Sequence, residues 1–225
     1  MKLAIIIISF SLLLNNCQLL KPLDNDKYIG LYPQKNIKIK NQQKWQQILY
    51  TDRITDFKKR PIGFKKIVFL GNSITEGAKS WNKRFNFQNL VNRGISGDIT
   101  EGVLARLNEI HYYEPIGVFL LIGINDIFDA NILNRDKITA KYVANNILKI
   151  TENIQKKSNY TKVYIQTILP VNLIQYNEIK GTAPIHEIDL NEQIKQINLI
   201  LKNNINQNEN PNIHYIDLHM NFVDE

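Results

Sequence analysis

The chain has 225 residues, of which 44% are hydrophobic and 22% charged. This is enough apolar sequence to build one globular domain with a sizeable core, and it excludes an intrinsically disordered protein. The formal charge of +7 is uneven: residues 1–84 contain 16 Lys and Arg against 5 Asp and Glu, a net +11, whereas the rest of the chain contains 12 against 16, a net −4. The basic residues are scattered through polar sequence without interleaved aromatic residues, so we expect no nucleic-acid partner.

An apolar segment and the only cysteine mark the N-terminus. Residues 3–14, interrupted by two serines, match the length of a signal-peptide core and fall short of the roughly 20 residues that span a bilayer. The run Leu14-Asn15-Asn16-Cys17 resembles the lipobox of bacterial lipoproteins, although asparagines replace the usual small residues before the cysteine. The resemblance implies that residues 1–17 are a signal segment, that Cys17 is lipidated, and that the protein is anchored to a membrane of the bacterial cell envelope. A cleaved signal peptide with secretion, or an uncleaved signal anchor, is the alternative.

Residues 18–49 are polar and rich in Lys, Asn and Gln, which predicts a tether or loosely packed extension. From residue 50 to residue 225, short apolar runs alternate with segments of helical spacing. The runs that predict strands are Ile67–Leu70, Leu90–Ile95, Ile116–Ile122, Val163–Leu169 and Ile213–Leu218. Helical spacing follows in residues 103–110, 143–154 and 190–201. This alternation predicts an α/β domain with a five-stranded parallel sheet and helices on both faces.

Polar residues follow the first three predicted strands, at the edge of such a sheet where ligands bind. Ser73 follows the first strand, Gly97 the second and Asn125 the third. An acyl-transfer site needs a nucleophile and an oxyanion hole. The Ser73 hydroxyl could supply the nucleophile, and the backbone N–H of Gly97 and the carboxamide of Asn125 could supply donors for the oxyanion hole. Each residue also has a structural alternative: Ser73 as a helix cap, Gly97 as a turn residue and Asn125 as a partner of buried backbone groups. Asp98 and Asp126 fit helix caps or turns better than catalysis.

Three short motifs carry a family resemblance. Gly71-Asn72-Ser73-Ile74, then Asn-Arg-Gly-Ile-Ser-Gly-Asp around Gly97, then Gly123-Ile124-Asn125-Asp126, resemble the first three blocks of the SGNH (GDSL-like) hydrolases. The resemblance implies a flavodoxin-like three-layer α/β/α fold and hydrolysis of acyl esters of sugars or lipids, often short-chain, without a metal or other cofactor. It also implies that Ser73 is the nucleophile, and that the N–H groups of Ser73 and Gly97 and the Asn125 side chain form the oxyanion hole.

The catalytic base is not evident in the sequence. The resemblance implies a fourth block, Asp-x-x-His, after the fifth strand, and none of the four histidines has an aspartate three residues before it. His219, two residues after Asp217, is a weak candidate for the base, and His186 is a second one. We therefore expect the chain to end before its Asp/His block and final helix, and its activity to be impaired. The alternative is a non-catalytic surface lipoprotein that binds a glycan or another ligand in the same pocket.

Overall fold

The computed structural model describes residues 30–129 and 135–222. Cys17 and the predicted signal segment lie outside the described residues. Within the described part of the chain, no helix combines the length and the apolar character that crossing a bilayer requires.

Five parallel strands form one sheet in the order β2-β1-β3-β4-β5. They are β1 Ile67–Gly71, β2 Leu90–Gly94, β3 Gly117–Leu121, β4 Lys162–Gln166 and β5 Ile213–Ile216. This is the strand order of flavodoxin-like folds, in which the chain reverses its direction of travel at β1 and leaves a crevice between β1 and β3. The predicted α/β class and five-stranded parallel sheet are confirmed.

The alternation of side chains along each strand separates the two faces of the sheet. One face carries Val68 and Leu70 of β1 and the equivalent aliphatic residues of β3 and β4, which are fully buried beneath helices. The helices of the described residues are α1 Lys44–Lys59, α2 Ser73–Gly77, α3 Trp81–Phe85, α4 Thr100–Ala105, α5 Asn108–Tyr113, α6 Ile124–Ile127, α7 Ala140–Lys157, α8 Leu173–Lys180 and α9 Leu190–Asn206. The long helices α7 and α9 contribute buried isoleucines and leucines at helical spacing to this core.

The other face carries a row of aromatic rings in register across four strands. Phe69, Phe119, Tyr164 and His214 are paired strand to strand, with ring centroids 5.0, 4.5 and 4.8 Å apart along the row. The rings stack on one another because the spacing of neighbouring strands, about 4.8 Å, matches the stacking distance. Trp81 of α3 extends the row by stacking on Phe69 at 4.0 Å.

The structure departs from the predicted boundaries in two places. The spacing in residues 103–110 predicts one helix, but the chain forms α4 and α5, separated at Arg106. Part of the predicted polar extension is folded onto the domain: Leu31 is buried in the main core, and the Tyr32 hydroxyl donates to Glu109 at 2.7 Å. The packed unit therefore includes residues 31–49, whose apolar residues are too irregularly spaced to reveal this from sequence.

Candidate active site

The three predicted site residues follow three adjacent strands. Ser73 comes two residues after β1, Gly97 three residues after β2, and Asn125 four residues after β3. Strand β1 lies between the other two, with Gly71 in register with both Gly94 and Leu121. The fold therefore brings the three residues to the same edge of the sheet, with the exposed Ser73 in the middle.

Two glycines allow helix α2 to lie directly against the ends of the strands. A Cβ at Gly71 would be 2.2 Å from the carbonyl oxygen of Leu121 and 2.4 Å from the Thr75 hydroxyl. A Cβ at Gly94 would be 2.2 Å from the backbone nitrogen of Glu76. Because Leu121 O and Glu76 N are backbone atoms, they cannot move aside without displacing β3 or α2. Gly71 and Gly94 thus set the position of the helix that begins at Ser73.

Helix α2 begins at Ser73 and is capped by the preceding residue. The Asn72 side chain is buried, and its Oδ1 accepts a hydrogen bond of 3.0 Å from the N–H of Ile74. This leaves Ser73 free of the capping role that the sequence allowed for it. Among the described residues, the N–H of Ser73 has no acceptor. The residue therefore presents both a hydroxyl and an unused donor at the helix start.

Gly97 adopts a left-handed conformation, with φ +77°. Its N–H also has no acceptor within residues 30–129 and 135–222, whereas the N–H of Asp98 donates to Ile95 at 3.0 Å. The turn is held to α2 by Glu76, whose carboxylate accepts from the N–H and the hydroxyl of Ser96 at 2.6 and 2.7 Å. The loop that carries Gly97 is thus fixed relative to the helix that carries Ser73.

A buried ion pair supports this loop from below. Arg106 donates to Oδ2 of Asp98 through Nε at 3.0 Å and Nη2 at 2.8 Å, and both side chains are buried. The same guanidinium donates to the carbonyl oxygens of Arg93 at 2.9 Å and Gly71 at 3.1 Å, at the ends of β2 and β1. Burial raises the pKa of Asp98 to about 6, and the charge of Arg106 opposes this rise. The hydrogen bonds of Arg106 connect the loop to both strands.

Asn125 links the third loop to the second. Its Nδ2 donates to the carbonyl oxygen of Asp98 at 2.9 Å, which leaves the other N–H of the same amide for a ligand. The next residue, Asp126, is buried, and its carboxylate accepts from the N–H of Thr100 at 3.1 Å, the first residue of α4. Burial raises the pKa of Asp126 well above its usual range. Asp98 and Asp126 thus have structural roles, as the sequence predicted.

An open groove of about 980 Å³ runs along this edge of the sheet. Its walls come from the start of α1, from α6 and the segment after it, and from the chain following α8. The lining residues include Asn125, Ile74, Trp45, Phe128, Tyr176 and Ile185. A larger number of apolar than polar side chains, with a few polar groups between them, is typical of a small-molecule site.

The structure places His219 after the edge strand β5, and its Nε2 has no hydrogen-bond partner among the described residues. His219 follows β5, the edge strand, and three strand spacings, about 14 Å, separate β5 from β1. Its side chain is buried, and its backbone N–H donates to the Thr167 hydroxyl at 2.8 Å. The Asp217 carboxylate accepts from the N–H of Met220 at 3.4 Å. Within the described residues the proposed pairing of Asp217 with His219 is not present.

His186 lies nearer to the groove, directly after Pro184 and Ile185 of its wall. Burial and the charge of Arg135 lower its pKa, so the imidazole is neutral at pH 7. Within residues 30–129 and 135–222, no side chain accepts a hydrogen bond from the Ser73 hydroxyl. The described residues thus bring Ser73, Gly97 and Asn125 to one edge of the sheet, with no base in contact with the Ser73 hydroxyl.

Sequence reasoning missed the residues that hold the site in place. Three side chains contact the loop around Gly97. Glu76 of α2 binds Ser96, Arg106 between α4 and α5 binds Asp98, and Trp45 of α1 lies against Gly97. Their residue types do not mark them in the sequence, because charged and aromatic residues are common on protein surfaces. Only their contacts in the folded structure show that they support the loop.

Comparison with known proteins gives a family and a fold. The family model described as GDSL-like lipase/acylhydrolase matches residues 69–225. A GDSL-like lipase from Bacteroides thetaiotaomicron superposes with a TM-score of 0.60 at 22% identity, covering 78% of this chain and 80% of that one. A candidate acylhydrolase from Bacteroides fragilis gives 0.60 at 22% identity, covering 82% of each chain. A catalytic mutant of an acetylxylan esterase from Geobacillus stearothermophilus gives 0.53 at 15% identity, covering 71% and 79%. At these identities the likeness concerns the fold. The curated proteins contain no match to this sequence.

Proposed function

The chain belongs to the GDSL-like lipase/acylhydrolase family, and from this premise we propose that it is a serine esterase of the SGNH type acting on short-chain acyl esters of carbohydrates or lipids. The observation that carries the proposal is the meeting of Ser73, Gly97 and Asn125 at the ends of three adjacent strands. The Ser73 hydroxyl is exposed at this edge of the sheet. The N–H groups of Ser73 and Gly97 have no acceptor among the described residues, and the Asn125 amide has one remaining N–H.

In the proposed reaction, the Ser73 oxygen attacks the acyl carbon of the ester and forms a tetrahedral intermediate. The negative charge on the former carbonyl oxygen is stabilised by the N–H groups of Ser73 and Gly97 and by the amide of Asn125. Collapse of the intermediate breaks the bond to the alcohol oxygen, which takes up the proton that the Ser73 hydroxyl lost in the attack, and leaves an acyl-serine. Water then attacks the acyl-serine by the same route and releases the carboxylic acid.

The proposed reaction requires removal of the proton of the Ser73 hydroxyl. A general base contributes about 10²–10⁴-fold to such a reaction, and no described side chain accepts a hydrogen bond from Ser73. We propose that the 225-residue chain is impaired as an esterase for this reason. Residual turnover would come from the oxyanion hole and from binding, which together give about 10³–10⁴-fold over water in serine hydrolases that lack their triad.

A binding protein is the second candidate function. A groove with an exposed aromatic residue beside a serine without a base in contact favours ligand binding without turnover. The ligand would be a glycan or another acylated small molecule. The two functions share the groove and differ in whether the acyl-serine forms.

We also propose that the protein is exported and anchored to a membrane of the cell envelope through a lipidated Cys17. The support is the apolar segment followed by the lipobox-like run at residues 14–17. Growth of expressing cells with a radioactive fatty acid should label the wild type and leave Cys17→Ser unlabelled. Equal labelling of both proteins, or none of either, contradicts the anchor.

Turnover of p-nitrophenyl acetate tests the catalytic proposal. We expect slow hydrolysis by the purified chain that falls to the uncatalysed rate in Ser73→Ala. Hydrolysis that survives Ser73→Ala contradicts the proposal. Saturable binding of an acylated sugar without any hydrolysis by the wild type would decide for the binding protein.

A further inference from the structure

Trp45 of α1 lies directly against Gly97. A Cβ at Gly97 would lie 2.6 and 2.8 Å from two carbon atoms of the six-membered ring of Trp45. The contact is possible because residue 97 has no side chain. The tryptophan is nevertheless 50% exposed, so much of its ring surface is open to solvent. A large aromatic surface is therefore available beside the backbone N–H that the proposed reaction uses.

The ring of Trp45 is held in a defined orientation. Its Nε1 donates to Oε1 of Gln43 at 2.7 Å, and Nε2 of Gln43 donates to Oδ2 of Asp129 at 2.7 Å. The backbone N–H of Gln43 is in turn bound by Oε1 of Gln46 at 2.7 Å. These bonds connect the first turn of α1 to the segment after α6, which follows Asn125.

The groove around Trp45 combines apolar and polar groups. Phe128, Tyr176 and Pro184 supply apolar surface, whereas Gln43 and Thr182 supply polar atoms on the same lining. A pyranose ring has an apolar C–H face that packs on an aromatic ring and hydroxyls at its rim that need hydrogen-bond partners. An alkyl chain would leave the Thr182 hydroxyl and the second N–H of Asn125, which also lines the groove, without a partner, and this costs binding energy. The composition of the groove thus favours a sugar ring over an alkyl chain.

We propose that the first turn of α1 is the substrate-binding wall of the site and that Trp45 is the platform for a sugar ring, so that the ligand is an acylated carbohydrate. This inference rests on the proposed function for the location of the reacting ester. It adds a specificity-determining residue from a segment that the three family motifs do not include. It also assigns the substrate to the carbohydrate rather than the lipid class.

The test measures binding in the full chain, so that the result does not depend on turnover. The background is Ser73→Ala, and the probes are methyl 2,3,4-tri-O-acetyl-xylopyranoside and ethyl octanoate, titrated by calorimetry. We expect the sugar ester to bind more tightly than ethyl octanoate, and Trp45→Ala to weaken the sugar ester by about tenfold, the range of one aromatic stacking contact. Trp45→Phe should retain most of the affinity.

Phe64→Ala is the matched control, because Phe64 is an aromatic residue that is 62% exposed and does not line the groove. It should leave the affinity unchanged, and urea unfolding of each variant checks that it is folded. Equal affinity with and without the Trp45 ring, tighter binding of ethyl octanoate, or no binding of the sugar ester overturns the inference. Hydrolysis of p-nitrophenyl acetate that depends on Ser73, measured in the chain that keeps Ser73, would in each of these cases leave the proposed function intact and refute only the inference about Trp45 and the carbohydrate ligand.

Discussion

The side-chain amide of Asn125 donates a hydrogen bond of 2.9 Å to the carbonyl oxygen of Asp98, the residue directly after Gly97. This bond joins the loop after β3 to the loop after β2, so two of the proposed oxyanion donors are held at a fixed separation. Donors of this kind are effective because they do not have to reorganise when charge develops on the substrate. The rigidity of the Gly97 loop is therefore part of the proposed chemistry, and it can be tested by substitution.

Gly97→Ala should destabilise the protein through two separable effects. The left-handed φ of +77° costs a residue with a Cβ about 1–2 kcal/mol, and the new methyl group collides with the Trp45 ring. The double variant Gly97→Ala/Trp45→Ala removes the collision and keeps the backbone strain. Urea unfolding should give a favourable coupling of about 0.5–3 kcal/mol between the two substitutions. Strictly additive effects would show that the ring moves away without cost.

Arg106→Ala should destabilise the protein by about 3–5 kcal/mol, because it leaves the Asp98 carboxylate buried without its charged partner. It also removes the donors to the carbonyl oxygens of Gly71 and Arg93. The matched control is Lys59→Ala, which breaks the exposed pair with Asp56 at 3.5 Å and should cost less than about 1 kcal/mol. Similar losses in the two variants, measured by urea unfolding, would contradict the supporting role of the buried pair.

Asp126→Asn should change how stability depends on pH. Burial raises the pKa of Asp126 in the folded protein above its unfolded value of about 3.9. Between these two pKa values the folded state binds more protons than the unfolded state, so this carboxyl makes the wild type less stable as the pH rises, by up to about 1.4 kcal/mol per pH unit. Asparagine cannot titrate, so the unfolding free energy of the variant should rise relative to that of the wild type as the pH increases above the unfolded pKa of about 3.9. Parallel curves for the two proteins would show that the carboxyl is not held protonated.

Much of the fold follows from local sequence patterns. The five strands appear as short apolar runs, and α7 and α9 appear as helical spacing, because each element buries one continuous face of its own residues. The break between α4 and α5 is not visible in this way. Arg106 leaves the helix to reach Asp98 and the end of β1, and this gain comes from tertiary contacts that local spacing does not record.

The site was predictable to the extent that it lies in short motifs after strands. Ser73, Gly97 and Asn125 could be brought together because parallel strands end at the same edge of a sheet. The contact of Trp45 with Gly97 could not be predicted, because it joins the first turn of α1 to a loop far along the chain. The catalytic base could not be assigned for a related reason. A histidine acts as the base only if it contacts the serine in the folded protein, and the sequence spacing of Asp217 and His219 does not show which side chains they contact.

The most direct test of the proposed site is covalent labelling by a fluorophosphonate, followed by mass spectrometry over an incubation long enough for a weakly activated serine. The account predicts a single adduct on Ser73, no adduct in Ser73→Ala, and labelling slowed by about 10²–10³-fold in Asn125→Ala, since one oxyanion donor is lost. Asn204→Ala, on the exposed side of α9, is the control and should react like the wild type. An adduct on another residue, no adduct in the wild type, or equal labelling rates for Asn125→Ala and the wild type would contradict the account.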